Sequence, residues 1–359
     1  LSLTGLGIPT ERTPIGADDY PLFYDFWGRK SPFGQVVCFP DSVPNVIKAL
    51  IVTGGNPVVS LPDSNAFREA LKKLELLVVL DLFMTETAEL AHYVLPGCTH
   101  LEKNGLAYSY NVCHGMPYLM LRKKAIEPLY ESRSEFMFWK ELAKRMGMGE
   151  VFPWETDEEV VELELKSSGL SYKELKEEKV AGAYYMPKKY GMEGYEVKGF
   201  STPSRKIEIY SETFEKAGFD PLPTYREPDQ SPLGDPQLFQ RYPLILTTGA
   251  RILYYTHTQH RNIQGLKEKN PEPFAEIHKK TAEKYGIKDG DSIIVESNRG
   301  QIRVKALVTE EMMEGVVSIP HGWPGEANVN LLTDVHCREP IMGYPQMKSQ
   351  LCSIQKAPV

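Results

Sequence analysis

Residues 47–57 read IKALIVTGGNP, and this stretch decides the fold class. Ile47–Thr53 is an apolar run of buried-strand length, and it breaks at Gly54-Gly55-Asn56-Pro57. A continuous apolar strand closed by glycines is the pattern of a sheet covered on both faces. The residues that follow supply the cover. SNAFREALKKL at 64–74 has helical spacing, with Asp63 or Ser64 as its N-cap. Leu76–Asp81 (LLVVLD) is a second buried strand, Thr85–Ala91 is helical, and Tyr93–Leu95 is a short third strand. Strands alternating with helices predict a parallel sheet.

Upstream, residues 1–45 are rich in Pro, Gly and Asp and read as a connection arriving from a preceding segment. Downstream, Ser134–Met146 is an amphipathic helix, and the Glu-rich residues 150–180 read as solvated surface helices. The Pro-rich segment 219–236 reads as an extended linker. Beyond Tyr242 the pattern turns to short β runs: Pro243–Thr248, Ser292–Ser297, Gln301–Thr309 and Gly315–Pro320. Asp289-Gly290-Asp291 and Asn298-Arg299-Gly300 mark turns between them, and Thr281–Tyr285 is a short helix. That is a compact β-barrel pattern.

Composition narrows the function classes. With 42% hydrophobic and 25% charged residues the chain is an ordinary soluble globular protein. A formal net charge of −7 argues against a nucleic-acid surface. No apolar run reaches the roughly 18–20 residues that span a bilayer. The chain begins with Leu1, so targeting and compartment stay open. Cys38, Cys98, Cys113, Cys337 and Cys352 are scattered without a C-x-x-C pair, which reads as free thiols rather than a zinc or iron–sulfur site.

No acid–base pair or catalytic triad stands out, so the catalytic residues are unknown. His257 and His260 read as packing or hydrogen-bonding residues rather than a metal pair. What the sequence offers is a set of loops. Gly54, Asn56 and Ser60 follow the first strand, where α/β sheets bind ligands; an ordinary strand-to-helix turn is the alternative. Asp81 ends the second strand and precedes Thr85-Glu86-Thr87, as a ribose reader or a helix cap. Thr247-Thr248-Gly249-Ala250-Arg251 runs into Tyr254, Tyr255, Thr256 and His257, and Arg251 reads either as a phosphate clamp or as a surface Arg of a polar loop. His321-Gly322-Trp323-Pro324-Gly325, Asn328, Asn330 and Lys348 form a last polar set, read as turns suited to a polar, anionic ligand or as a structured C-terminal loop.

In this order, several segments together resemble the C-terminal half of the dimethyl-sulfoxide-reductase family of molybdopterin oxidoreductases. They are GGNPVVSLPD (54–63), LLVVLDLFMTETAELAHYVLP (76–96), LEKNG (101–105), SEFMFWKELAKRMG (134–147), FSTPSRKIEIYSE (200–212) and GFDPLPTYREP (218–228). YPLILTTGAR (242–251), IHKKTAEKYGIKDGDSIIVESNRGQI (277–302) and PHGWPGEANVNLLTD (320–334) complete the set. Formate dehydrogenases and polysulfide, thiosulfate and arsenate reductases belong to that family.

The resemblance implies residues 1–235 as the C-terminal part of an α/β domain, Rossmann-like and built on a parallel sheet. It implies residues 236–359 as a dinucleotide-binding, six-stranded double-psi β-barrel. It implies bis(molybdopterin guanine dinucleotide) with Mo or W. A 4Fe–4S cluster and the metal ligand are expected only in the missing N-terminal part, and no metal ligand in this chain. The implied partners are the N-terminal half of the same enzyme and an iron–sulfur electron-transfer subunit, with no nucleic acid and no direct membrane span. Carried over position by position, Gly54, Asn56 and Ser60 contact one guanosine, Asp81 sits at the adjacent strand end, and Glu135 reads guanine. Thr248, Gly249, Arg251, Tyr254 and Thr256 match the barrel's cofactor loop. His321, Asn330 and Lys348 match positions near the pterin or its phosphates. Two residues depart from the pattern: His92 stands where many relatives have Asp, and Arg205 stands at the usual Gly of TPSGK. The expected activity is that of a Mo/W oxidoreductase on formate or a sulfur or arsenic oxyanion, with this segment inactive alone. The rival class is a non-catalytic scaffold or nucleotide-binding module; the α/β half upstream of the barrel argues against the latter.

Overall fold

The structure is a computed structural model that describes residues 14–22, 36–108, 117–185, 196, 199–200, 202–248 and 252–358. A three-stranded parallel sheet holds β1 (Ala49–Thr53), β2 (Leu76–Asp81) and β3 (Tyr93–Pro96) in that order. Its central strand β2 buries Leu77 to Leu80, as the unbroken apolar run requires. The helix Ser64–Lys72 covers the sheet with Phe67, Ala70 and Leu71. Asp63, not Ser64, caps that helix, its Oδ1 accepting from Ala66 N at 3.1 Å.

Three readings of the sequence change here. Residues 1–45 are more than a connection, because Tyr20, Val37, Cys38, Phe39 and Val43 enter this core, and Phe39 stacks on Phe67 at 5.9 Å. Thr85–Ala91 forms only a 3-10 turn at Ala88–Leu90: the Thr85 hydroxyl accepts from Ala88 N, and the Thr87 side chain serves another loop. The Glu-rich 150–180 stretch is not merely solvated. Its helices Asp157–Leu165 and Tyr172–Glu177 bury Val161, Leu165 and Leu175 against β5 (Tyr118–Arg122) of a small sheet in the order β4 (Gly105–Ala107), β5, β6 (Ala183–Tyr184).

The C-terminal region closes a six-stranded barrel in the order β10-β8-β11-β7-β12-β9. Its strands are β7 (Leu244–Thr247), β8 (Phe274–His278), β9 (Ser292–Glu296), β10 (Gln301–Thr309), β11 (Val316–Ser318) and β12 (Gln350–Lys356). The pairs β8–β10 and β7–β11 are parallel, and the others are antiparallel. Period-2 alternation on β10 sends Ile302, Val304 and Ala306 inward onto Ile277, Ile293 and Val295.

The chain divides into two compact units. One comprises Leu80–Phe83 and Val94–Thr224; the other comprises the described residues before Leu80, Met84–Tyr93, and Tyr225 onward. The barrel and the Ser64–Lys72 helix therefore share one unit. Among the described residues no helix is long and apolar enough to cross a membrane.

Candidate functional site

The loop after β1 is built for a tight approach. Gly54 has φ +58°, and nothing lies within 4 Å of where its Cβ would stand. Asn56 then turns inward. Its Nδ2 donates to Glu86 Oε2 at 2.7 Å, and its Oδ1 accepts from the Thr87 hydroxyl at 2.8 Å. Ser60 Oγ donates back to Asn56 O at 2.9 Å. The Asn56 side chain is thus engaged within the protein, and the exposed part of this loop is Thr53 and Gly54.

The barrel contributes a second cluster, and it is the one the sequence reading located least well. Arg261 lies with its guanidinium carbon 3.9 Å from the Trp323 ring centroid and 4.6 Å from that of Tyr255. The two rings meet edge to face at 5.5 Å. Arg261 Nη2 donates to the carbonyls of His257 and His321, each at 3.2 Å. Its Nε and Nη1, and Trp323 Nε1, are buried with no partner among the described residues. Burial lowers the Arg261 pKa to about 10, so the group remains cationic at neutral pH. Above it, His321 Nε2 and His257 Nδ1 share a hydrogen bond at 2.7 Å. His257 therefore partners His321 rather than its sequence neighbour His260. Among the described residues no group of three or more His, Cys, Asp and Glu side chains could hold a metal.

The remaining candidates are spread around these clusters. Thr248 is buried, its N–H donating to Met347 O at 3.3 Å. Tyr254 is partly exposed under Lys269. Thr256 closes a turn by accepting from Gln259 N at 2.8 Å, and Lys348 is exposed. Asn330 is fully buried, with its Nδ2 on Val59 O at 2.8 Å. Gly249 and Arg251 lie outside the described residues.

Asp81 and Glu135 belong to the other unit. Asp81 ends β2 with its Oδ1 accepting from Leu82 N at 2.6 Å. Glu135 opens the helix Glu135–Arg145, capped by Ser134, and pairs with Lys103. Glu135 and Lys103, but not Asp81, line a cavity of about 660 Å³ with Arg122, Asp157 and Glu164. Burial raises the pKa of Asp157 and of Glu164.

The two departures from the family pattern acquire local reasons. His92 Nδ1 accepts from Leu77 N at 2.9 Å, fastening β2. Arg205 sits at φ +59°, the conformation that explains a glycine elsewhere. Sequence reasoning missed Arg261 because a lone Arg in HTQHRN carries no spacing signal. The flanking aromatics Tyr255 and Trp323 were the available cue.

Two family descriptions match the chain: the molydopterin dinucleotide binding domain over residues 244–351 and the molybdopterin oxidoreductase over residues 33–145. Acetylene hydratase of Syntrophotalea acetylenica is 35% identical over 279 residues, 78% of this chain and 37% of that protein. The alpha subunit of an F420-dependent formate dehydrogenase of Methanocaldococcus jannaschii is 32% identical over 94% of this chain and 48% of its own length. The solved structure of acetylene hydratase from Pelobacter acetylenicus superposes with a TM-score of 0.82 at 30% identity, over 96% of this chain and 52% of that one. The chain thus spans about half or less of the length of these relatives.

Proposed function

Since the chain belongs to the molybdopterin oxidoreductases of the dimethyl-sulfoxide-reductase family, we propose that it holds bis(molybdopterin guanine dinucleotide) as the C-terminal part of a Mo- or W-dependent enzyme. The observation that carries this reading is the Arg261 seat. Three buried N–H donors, on Arg261 and Trp323, find no acceptor among the described residues, at a cost of about 1–3 kcal/mol each. A phosphate or the carbonyl and ring nitrogens of a pterin supply acceptors of the required kind. The residues therefore fit an acceptor-rich, anionic group, with the Arg261 charge favouring it further.

In this reading Thr248, Tyr254, Thr256, His321 and Lys348 serve the same barrel grip, and Gly249 and Arg251, which follow Thr248 in the sequence, belong to it as well. Gly54, Asn56 and Ser60 form the second grip, and Asp81 and Glu135 meet a guanosine. Asn330 acts on the second grip through Val59. When bound, the cofactor supplies a metal centre that exchanges electrons, while these residues bind and orient it. The metal-ligating residue, a 4Fe–4S cluster and an iron–sulfur partner subunit are assigned to the rest of the enzyme. Formate or an inorganic sulfur or arsenic oxyanion is the substrate class, and the formate dehydrogenase likeness supports it. A second reading, hydration of a small unsaturated substrate, is favoured by likeness to acetylene hydratase in both sequence and structure.

The test is direct. The full-length protein is purified anaerobically, its Mo and W measured by mass spectrometry, and GMP assayed after acid hydrolysis. About two GMP per metal are expected from the bis-dinucleotide stoichiometry. Absence of both metal and GMP overturns the cofactor assignment and leaves a scaffold. Formate oxidation against acetylene hydration then separates the two activities.

A further inference from the structure

The one-turn helix Pro57–Ser60, directly after Gly54 and Asn56, is too short to satisfy its own carbonyls. The barrel's C-terminal loop satisfies them instead. Asn330 Nδ2 donates to Val59 O at 2.8 Å, and Asn328 Nδ2 donates to Ser64 Oγ at 2.8 Å and Val58 O at 3.4 Å. Thr333 ties the arrangement together. Its hydroxyl accepts from Asp63 N at 3.0 Å and lies 3.2 Å from Asn330 Oδ1, to which it donates. Asn328, Asn330 and Thr333 are 3%, 0% and 0% exposed, so this polar network is sealed from water, where each bond counts more. Residues some 270 positions apart in sequence are thereby held as one body.

We propose that Asn328, Asn330 and Thr333 are positioning residues for cofactor binding: they fix the Gly54–Ser60 loop to the barrel, so that the two grips form one preformed clamp. This rests on the function proposed above. A preformed site avoids the ordering cost that a mobile loop would incur on binding. The side chains act through Val58, Val59 and Asp63, not by touching the ligand.

Thr333→Val and Thr333→Ser form the decisive pair in the full-length protein. Valine keeps the shape and removes the hydroxyl; serine keeps the hydroxyl. Hydrogen exchange at residues 54–60 is expected to quicken about tenfold in Thr333→Val and to stay near wild type in Thr333→Ser. Exchange in barrel strands β9 and β10 stays unchanged in both. GMP occupancy at limiting cofactor, or the dinucleotide off-rate, should worsen about tenfold in Thr333→Val alone, the scale of losing an outer partner that orients a ligand. Asn330→Ala serves as the second variant, with the same expected pattern. Unchanged loop exchange in Thr333→Val overturns the clamp, and so does a loosened loop with wild-type retention. A wild type that carries no GMP overturns the function reading instead, and the exchange data still decide the lock.

Discussion

His257 Nδ1 and His321 Nε2 lie 2.7 Å apart although 64 residues separate them in sequence. The backbone enforces the pairing. Gly322, at φ +91°, lies so close to His257 that a Cβ there would stand 2.1 Å from the His257 carbonyl oxygen. Gly325 in the same loop is also left-handed, at φ +66°, yet has nothing within 4 Å. The two glycines therefore predict different costs. Gly325→Ala should cost roughly 1 kcal/mol, the left-handed penalty alone. Gly322→Ala should cost about 3 kcal/mol or more, because a backbone carbonyl must move as well. Urea unfolding compares them, and equal costs would remove close approach as the reason for Gly322.

Asp63 holds three structures at once. It sits at φ +57°, caps the helix Ser64–Lys72, and its carboxylate pairs with Arg299 while its N–H donates to Thr333. Asp63→Ala loses the cap and the pair and keeps the strain, so a cost of about 2–4 kcal/mol is expected. Asp63→Asn keeps the cap and tolerates the left-handed conformation, and should cost about 1 kcal/mol. Denaturant midpoints of the two variants give the comparison; an alanine as mild as the asparagine would mean the side-chain cap contributes nothing.

These positions show what was legible in the sequence. Strands β2 and β10 were read to their ends because unbroken apolar runs and strict alternation both leave a periodic trace. Strands β8 and β12 left weaker traces, since FAEIH and QLCSIQK mix Glu276, His278, Gln355 and Lys356, and a buried Gln350, with short apolar steps. The Glu-rich helices looked solvated because Leu165 and Leu175 are isolated apolar residues among many acids, and only the small sheet beneath reveals what they cover. At the candidate site the loops were legible, but the partners of their side chains were not. Asn56 and Asn330 both stand in ligand-suited loops, and both have their amides engaged on protein groups. The long-range pairing of a barrel loop with a strand-end loop has no local signature in either segment.

Glu102 is a buried carboxylate that accepts from Thr99 N and Leu129 N, each at 2.7 Å, and from the Ser132 hydroxyl at 3.3 Å. These donors, the Leu129 N–H foremost, lower its pKa from 4.5 to about 2. The folded state thus favours the charged form. Its contribution is complete above pH 4.5 and is lost as pH falls toward 2. Glu102→Gln removes the titration: the variant should be less stable at pH 6 and should show a flatter loss of stability between pH 4.5 and 2. Parallel pH profiles for variant and wild type would rule out Glu102 as the acid-sensitive fastening of the 97–133 segment.

Arg205 adopts φ +59° at an exposed turn, with its N–H donating to Thr202 O at 3.1 Å and its carbonyl accepting from Phe200 N at 3.0 Å. A side chain in the left-handed region costs roughly 1–2 kcal/mol, whereas glycine adopts it freely. Glycine also gives the unfolded chain more freedom, which offsets part of that gain. The balance predicts that Arg205→Gly stabilises the turn by about 0.5–1 kcal/mol, while Arg205→Ala, which keeps the Cβ, does not. Thermal unfolding of the two variants separates backbone strain from loss of the guanidinium. If both stabilise equally, the benefit lies in removing the charge, and the turn conformation is not what makes Gly the usual residue at this position.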